Sequence, residues 1–132
     1  MLGDQLGESK GKRIVRRVLS SEPLRLEVSF EDAGTMLGVA TNGFGTYTSE
    51  AREDGSLYGE GQGAMITADG DRITWRGSGS GRILPGGSVS YRGILYYRTT
   101  SQKLARLNNA RGVFEYEVDA TGNTTSKIWE WK

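Results

Sequence analysis

Hydrophobic and polar positions alternate along most of this chain. Leu24, Leu26, Val28 and Phe30 share one side, and Arg25, Glu27, Ser29 and Glu31 the other. A period of two marks a half-buried antiparallel strand. Glycine keeps the same period twice, at Gly59, Gly61 and Gly63 and again at Gly77, Gly79 and Gly81. Asp69-Gly70 lies between these runs and predicts a hairpin. A third strand, Val89 to Arg98, follows a turn at Pro85-Gly86.

The rest of the chain reads in the same way. Residues 1–11 form a polar, loosely ordered lead-in, and Lys12 to Ser20 a strand broken by Ser21-Glu22-Pro23. Asp32-Ala33-Gly34 turns into Thr35 to Thr41. Asn42-Gly43 marks a bend before a strand from Phe44 to Ala51, and Asp54-Gly55 a further turn. Gly112 to Asp119 and Thr124 to Lys132 make a last hairpin. The one helical signal runs from a cap at Thr100 or Ser101 through Lys103 to Leu107, with Leu104 and Leu107 inward. Turns recur roughly every 8–12 residues, and nearly every connection is hairpin-short. A meander of this kind must close or leave two open edges. The expected fold is all-β: a closed antiparallel up-and-down barrel of about eight strands, with one short helix near one end.

Composition narrows the chemistry. At 132 residues the chain predicts a single domain. Seventeen basic residues stand against 16 acidic ones, so no charged stripe points to nucleic acid or membrane. The absence of cysteine and histidine excludes disulfides, thiol catalysis and every His-assisted nucleophile. No clustered carboxylate loop suggests a metal, and no cofactor is expected. No apolar run suggests a signal or a membrane span, so the expected location is cytoplasmic.

Hairpin arithmetic selects an interior. A two-residue loop at Asp69-Gly70 pairs Ile66 with Ile73 and Ala64 with Trp75, and puts Thr67, Arg72, Thr74 and Arg76 on the opposite face. A three-residue loop would shift the pairing by one and mix Ile66 with Arg72. The cleaner separation favours the first register. Carried across the turns at Pro85-Gly86 and Asp54-Gly55, it yields an inward row of Ser49, Glu60, Gly79 and Arg92. Gln62, Tyr47, Tyr58, Trp75 and Tyr96 lie beside that row. Convergent polar groups among aromatic walls suit a small-molecule pocket, so these seven side chains other than Ser49 and Gly79 are the candidate ligand-binding residues. A structural reading fits Glu60 and Arg92 better still: an ion pair that merely plugs the barrel, or two side chains that both lie outside it. The same register turns Val89, Tyr91, Leu95 and Tyr97 outward, an apolar stripe that calls for a cover and predicts a homo-oligomer through this strand.

The run Tyr58-Gly-Glu-Gly-Gln-Gly63, Thr-Trp-Arg-Gly around Trp75, Ser90-Tyr-Arg-Gly93 and the tail Ile-Trp-Glu-Trp131 resemble an uncharacterised prokaryotic family of small β-barrels. Its architecture is similar to the calycin-like barrels related to allene oxide cyclase. The plant enzymes of that group bind a fatty-acid epoxide inside an eight-stranded barrel and cyclise it with the help of a buried glutamate. Their motifs are not matched residue by residue here, so the resemblance carries over no catalytic position. The leading expectation is a non-catalytic barrel binding a small apolar or amphipathic molecule. Two alternatives stand beside it: a small isomerase or cyclase with Glu60 as base, and a structural or oligomerisation module without ligand.

Overall fold

A computed structural model describes the whole chain, residues 1–132. Eight strands run in order: β1 (Leu2–Ser21), β2 (Leu24–Met36), β3 (Val39–Ala51), β4 (Ser56–Thr67), β5 (Arg72–Ile83), β6 (Val89–Thr99), β7 (Arg111–Val118) and β8 (Asn123–Trp131). Each pairs antiparallel with the next, and β8 pairs with β1, so the meander closes into a barrel. Closure gives nearly every main-chain group a partner, as the alternating pattern and short connections require. No helix is long and apolar enough to cross a membrane.

Four of the hairpin loops are alike. Glu53-Asp54-Gly55, Ala68-Asp69-Gly70, Pro85-Gly86-Gly87 and Ala120-Thr121-Gly122 are three-residue loops, and each ends on a glycine with φ between 85° and 94°. Only glycine takes that left-handed conformation without strain. The Asp-Gly pairs are therefore the second and third residues of a three-residue loop, not the centre of a two-residue turn.

That one extra residue changes every register derived from the sequence. Trp75 pairs with Gly63 and Tyr97, Gly77 with Gly61, and Gly79 with Gly59 and Gly93. The glycine runs therefore face the interior together with Trp75, and the charged alternates face out. The predicted Val89–Tyr97 stripe is also inverted: Tyr91 and Tyr97 are buried. The apolar face that called for a second copy is inside the barrel, and Ser90, Arg92 and Tyr96 hold the outer positions.

Two further stretches depart from expectation. Residues 2–11, read as a lead-in, form the first half of β1 and pair with β8. Asp32-Ala33-Gly34, read as a turn, continues β2 without a break. The reversal comes at Leu37-Gly38, both with positive φ. Past Lys12, β1 has no β8 neighbour, and Val15–Ser21 pairs with β2 alone. Pairing slips there between Arg13 and Val15 and between Val18 and Ser20.

The helical signal becomes a 3₁₀ helix, Ala105–Asn109, across one end of the barrel. Leu104 and Leu107 point inward, as expected, and are fully buried against Leu6, Met36, Ile73, Tyr97 and Ile128. Asn108 fastens the segment by bonding both the amide and the carbonyl of Thr99. This plug is the main apolar core. At the opposite end Val28, Val118 and Thr124 are buried, and the hydroxyls of Tyr91 and Ser49 share a hydrogen bond.

Candidate functional site

Within the barrel, between the helical plug and the opposite end, lies a cavity of about 110 Å³. Its size follows from the glycine rows. An inward strand position without a side chain leaves the space that an aromatic ring then occupies. A Cβ on Gly63 would come within 2.5 Å of the Trp75 ring, and one on Gly45 within 2.7 Å of Trp75 and 2.9 Å of Phe30. Trp75 stacks on Phe30 at 6.2 Å. Phe30 also meets Tyr47 at 6.2 Å and Tyr116 at 5.8 Å, and Tyr47 sits edge-on to Tyr116 at 5.9 Å. These four rings line one side of the cavity, and Met65, Leu95 and Phe114 contribute to the remainder.

The cavity wall also carries a carboxyl group. Asp32 lies on β2 in phase with Val28 and Phe30, and so points inward. Its cross-strand neighbours are Gly11 on β1 and Gly43 on β3, neither of which places a side chain beside it. Ser9 Oγ donates to Asp32 Oδ2 at 3.0 Å. Ser126 Oγ stands 2.7 Å from Ser9 Oγ. With the Ser9 proton engaged by Asp32, Ser126 is the donor in that second bond. No cation pairs with Asp32. Burial raises its pKa above the ordinary carboxylate value, and the Ser9 hydrogen bond opposes this only in part.

The tyrosines beside it are held neutral. Burial pushes Tyr47 up to about 12. Tyr116 is raised as well, first by burial and then by its neighbour Tyr47. The Tyr116 hydroxyl approaches Tyr47 without meeting hydrogen-bond geometry and has no partner in the protein. A buried, unpaired hydroxyl at a cavity wall is costly unless something else fills its valence.

Of the seven predicted site residues, the structure turns two side chains into this interior, Tyr47 and Trp75, while Glu60 borders the cavity from an outward row. The side chains of the other five lie on the outer face. Glu60 is exposed and lies between Thr48 and Ser78 in an outward row. Gln62 is exposed between Thr46 and Arg76. Arg92 forms surface ion pairs with Glu117 at 2.8 Å and Glu115 at 3.7 Å, not with Glu60. Tyr58 carries the Arg52 guanidinium 4.6 Å above its ring, and Tyr96 is 55% exposed. All five miss the interior for one reason, the three-residue loops.

Asp32, Ser9, Ser126, Phe30 and Tyr116 were not singled out from the sequence. The signal for Asp32 was present. Extending the alternation of Leu24 to Phe30 by one step puts Asp32 inside, and only a turn reading of Asp-Ala-Gly hid it. Ser9 and Ser126 had no comparable signal, since small hydroxyl residues suit either face of a strand.

No family model matches this chain, and no curated protein matches it. Solved structures do. A protein with unknown function from Clostridium acetobutylicum superposes with a TM-score of 0.84 at 14% identity, over 98% of each chain. A conserved protein of unknown function from Rhodopseudomonas palustris gives 0.82 at 12% identity, over 98% of this chain and 97% of that one. An enzyme from Penicillium herquei gives 0.69 at 15% identity, over 96% and 92%. At such identities the likeness establishes the fold, a small closed β-barrel, and nothing of the chemistry inside it.

Proposed function

We propose that the barrel interior binds a small, partly apolar molecule. One observation carries this reading: an inward carboxyl without a counter-ion faces a cavity walled by Phe30, Tyr47, Trp75 and Tyr116. A buried charge is retained only where something compensates it. The cavity, at about 110 Å³, is smaller than drug-sized pockets of roughly 300–1,000 Å³. It is nearer an apolar protein cavity of about 150 Å³ that accepts benzene. The ligand is therefore a molecule of a few heavy atoms.

The test is an NMR titration of the intact chain with small organic probes at millimolar concentration, beginning with benzene, indole and tert-butanol. Saturable shifts confined to Phe30, Trp75 and Tyr116 support the proposal. Shifts only at surface positions such as Tyr96 overturn it.

The isomerase alternative survives only with a different base. Glu60 is outside, whereas Asp32 combines a raised pKa with access to the cavity, as a proton-transferring carboxyl needs. Arg92, which as a neighbour of Glu60 would have lowered the pKa of that base, is outside as well. Exchange of solvent deuterium into a bound probe, lost in Asp32→Asn, would favour catalysis over simple binding.

A further inference from the structure

We propose that the molecule held in the interior is a small organic cation, an amine or ammonium of a few heavy atoms. This rests on the interior-binding reading and adds the ligand's charge.

The polar side of the cavity is built of acceptors. Ser126 donates to Ser9, and Ser9 donates to Asp32 Oδ2. Both serine protons are thereby used within the chain, and what remains toward the cavity is lone pairs. Asp32 Oδ1 has no hydrogen-bond donor in the protein. It is also deliberately uncovered, because a Cβ on its neighbour Gly43 would lie 2.3 Å from it. A carboxylate and two hydroxyl lone pairs suit a ligand rich in N–H donors. An anion or a pure acceptor would find the hydroxyls of Tyr47 and Tyr116, and no donor beside the carboxyl.

The apolar side agrees with this. Aromatic faces attract cations, more strongly where water is excluded. A cation beside Asp32 also removes the cost of burying that charge alone. Within the fold no residue does so. The arginines whose charge reaches the interior, Arg13 and Arg16, act on Tyr47, and Arg13 also on Tyr116. Neither is among the groups that act on Asp32. The size of the cavity limits the cation to something like a tertiary-butyl or pyrrolidine amine.

Three probes of one shape test the inference: tert-butylammonium, tert-butanol and pivalate, titrated into the full chain by calorimetry. The ammonium is expected to bind at least about tenfold more tightly than the alcohol, and pivalate more weakly than either. Asp32→Asn should abolish the preference for ammonium while leaving alcohol binding in place. The Asp32 carboxyl carbon resonance of the unaltered chain supplies a second readout should that variant fail to fold. It should move with ammonium and stay with alcohol. Equal affinity for ammonium and alcohol overturns the cation inference and leaves interior binding standing. If none of the three binds, both readings fall.

Discussion

Gly43→Ala is the sharpest probe of the interior. The new methyl group would lie 2.3 Å from Asp32 Oδ1. Ordinary van der Waals contact begins at 3.4 Å, so the carboxyl must retreat by about 1 Å. A displacement of that size is expected to disrupt the 3.0 Å bond from Ser9. Forcing a methyl into a packed site costs roughly 1–3 kcal/mol, and a lost hydrogen bond to a charged group adds about 1.5 kcal/mol or more. A total near 3 kcal/mol is expected in urea unfolding followed by tryptophan fluorescence. Asp32→Ala removes the atom that clashes. The double variant Asp32→Ala/Gly43→Ala should therefore lose less than the sum of the single changes, by about 1 kcal/mol or more. Strict additivity would show that the methyl never meets the carboxyl, and the geometry of the site would be wrong.

The folded chain holds the Asp32 proton more tightly than the unfolded chain, so the stability that this one group contributes is fully present below about pH 3.8 and is lost as pH rises through the raised native value. Asp32→Asn should flatten that decline in denaturation midpoints taken from pH 4 to 7; an unchanged slope would remove the carboxyl from the interior. Leu107→Ala in the helical plug should cost about 2–5 kcal/mol by thermal or urea unfolding, since Leu107 is fully buried. Arg92→Ala and Glu60→Gln should each change stability by no more than about 0.5 kcal/mol and leave probe binding untouched, because both side chains are at the surface.

Much of the fold was legible because strand periodicity and turn residues are local signals. The clean alternation of Leu24 to Phe30, the glycine runs and the paired Leu104 and Leu107 are enough to give the eight-stranded barrel and the element that closes one end. The interior was less legible because it depends on parity. A loop of two residues or of three uses the same Asp-Gly signature, and the difference of one residue moves every side chain to the other face. A two-residue loop separates apolar from charged residues more cleanly around Ile66. The structure accepts an exposed Ile66 beside Arg72, and by doing so brings Trp75 and the glycines together inside. Those glycines were the stronger clue: rings need bare backbone to lie against, and charges do not. Asp32 was hidden for a different reason. An Asp-Ala-Gly sequence resembles a turn, and only the tertiary need for glycine next to a buried carboxyl distinguishes the two.

The overhanging half of β1 bears on how this barrel avoids its own kind. From Val15 to Ser21 its second side is unmated, the longest such stretch in the molecule, with Val15 and Val18 more than half exposed. A bare ribbon margin of this sort is where fibrils recruit their next member. Two slips in pairing crumple this margin, and Arg16 and Arg17 place charge along it, Arg17 with Glu27 3.2 Å away on β2. The guanidinium groups and the crumpling together act as a guard against stacking, at the one long seam that barrel closure left undone.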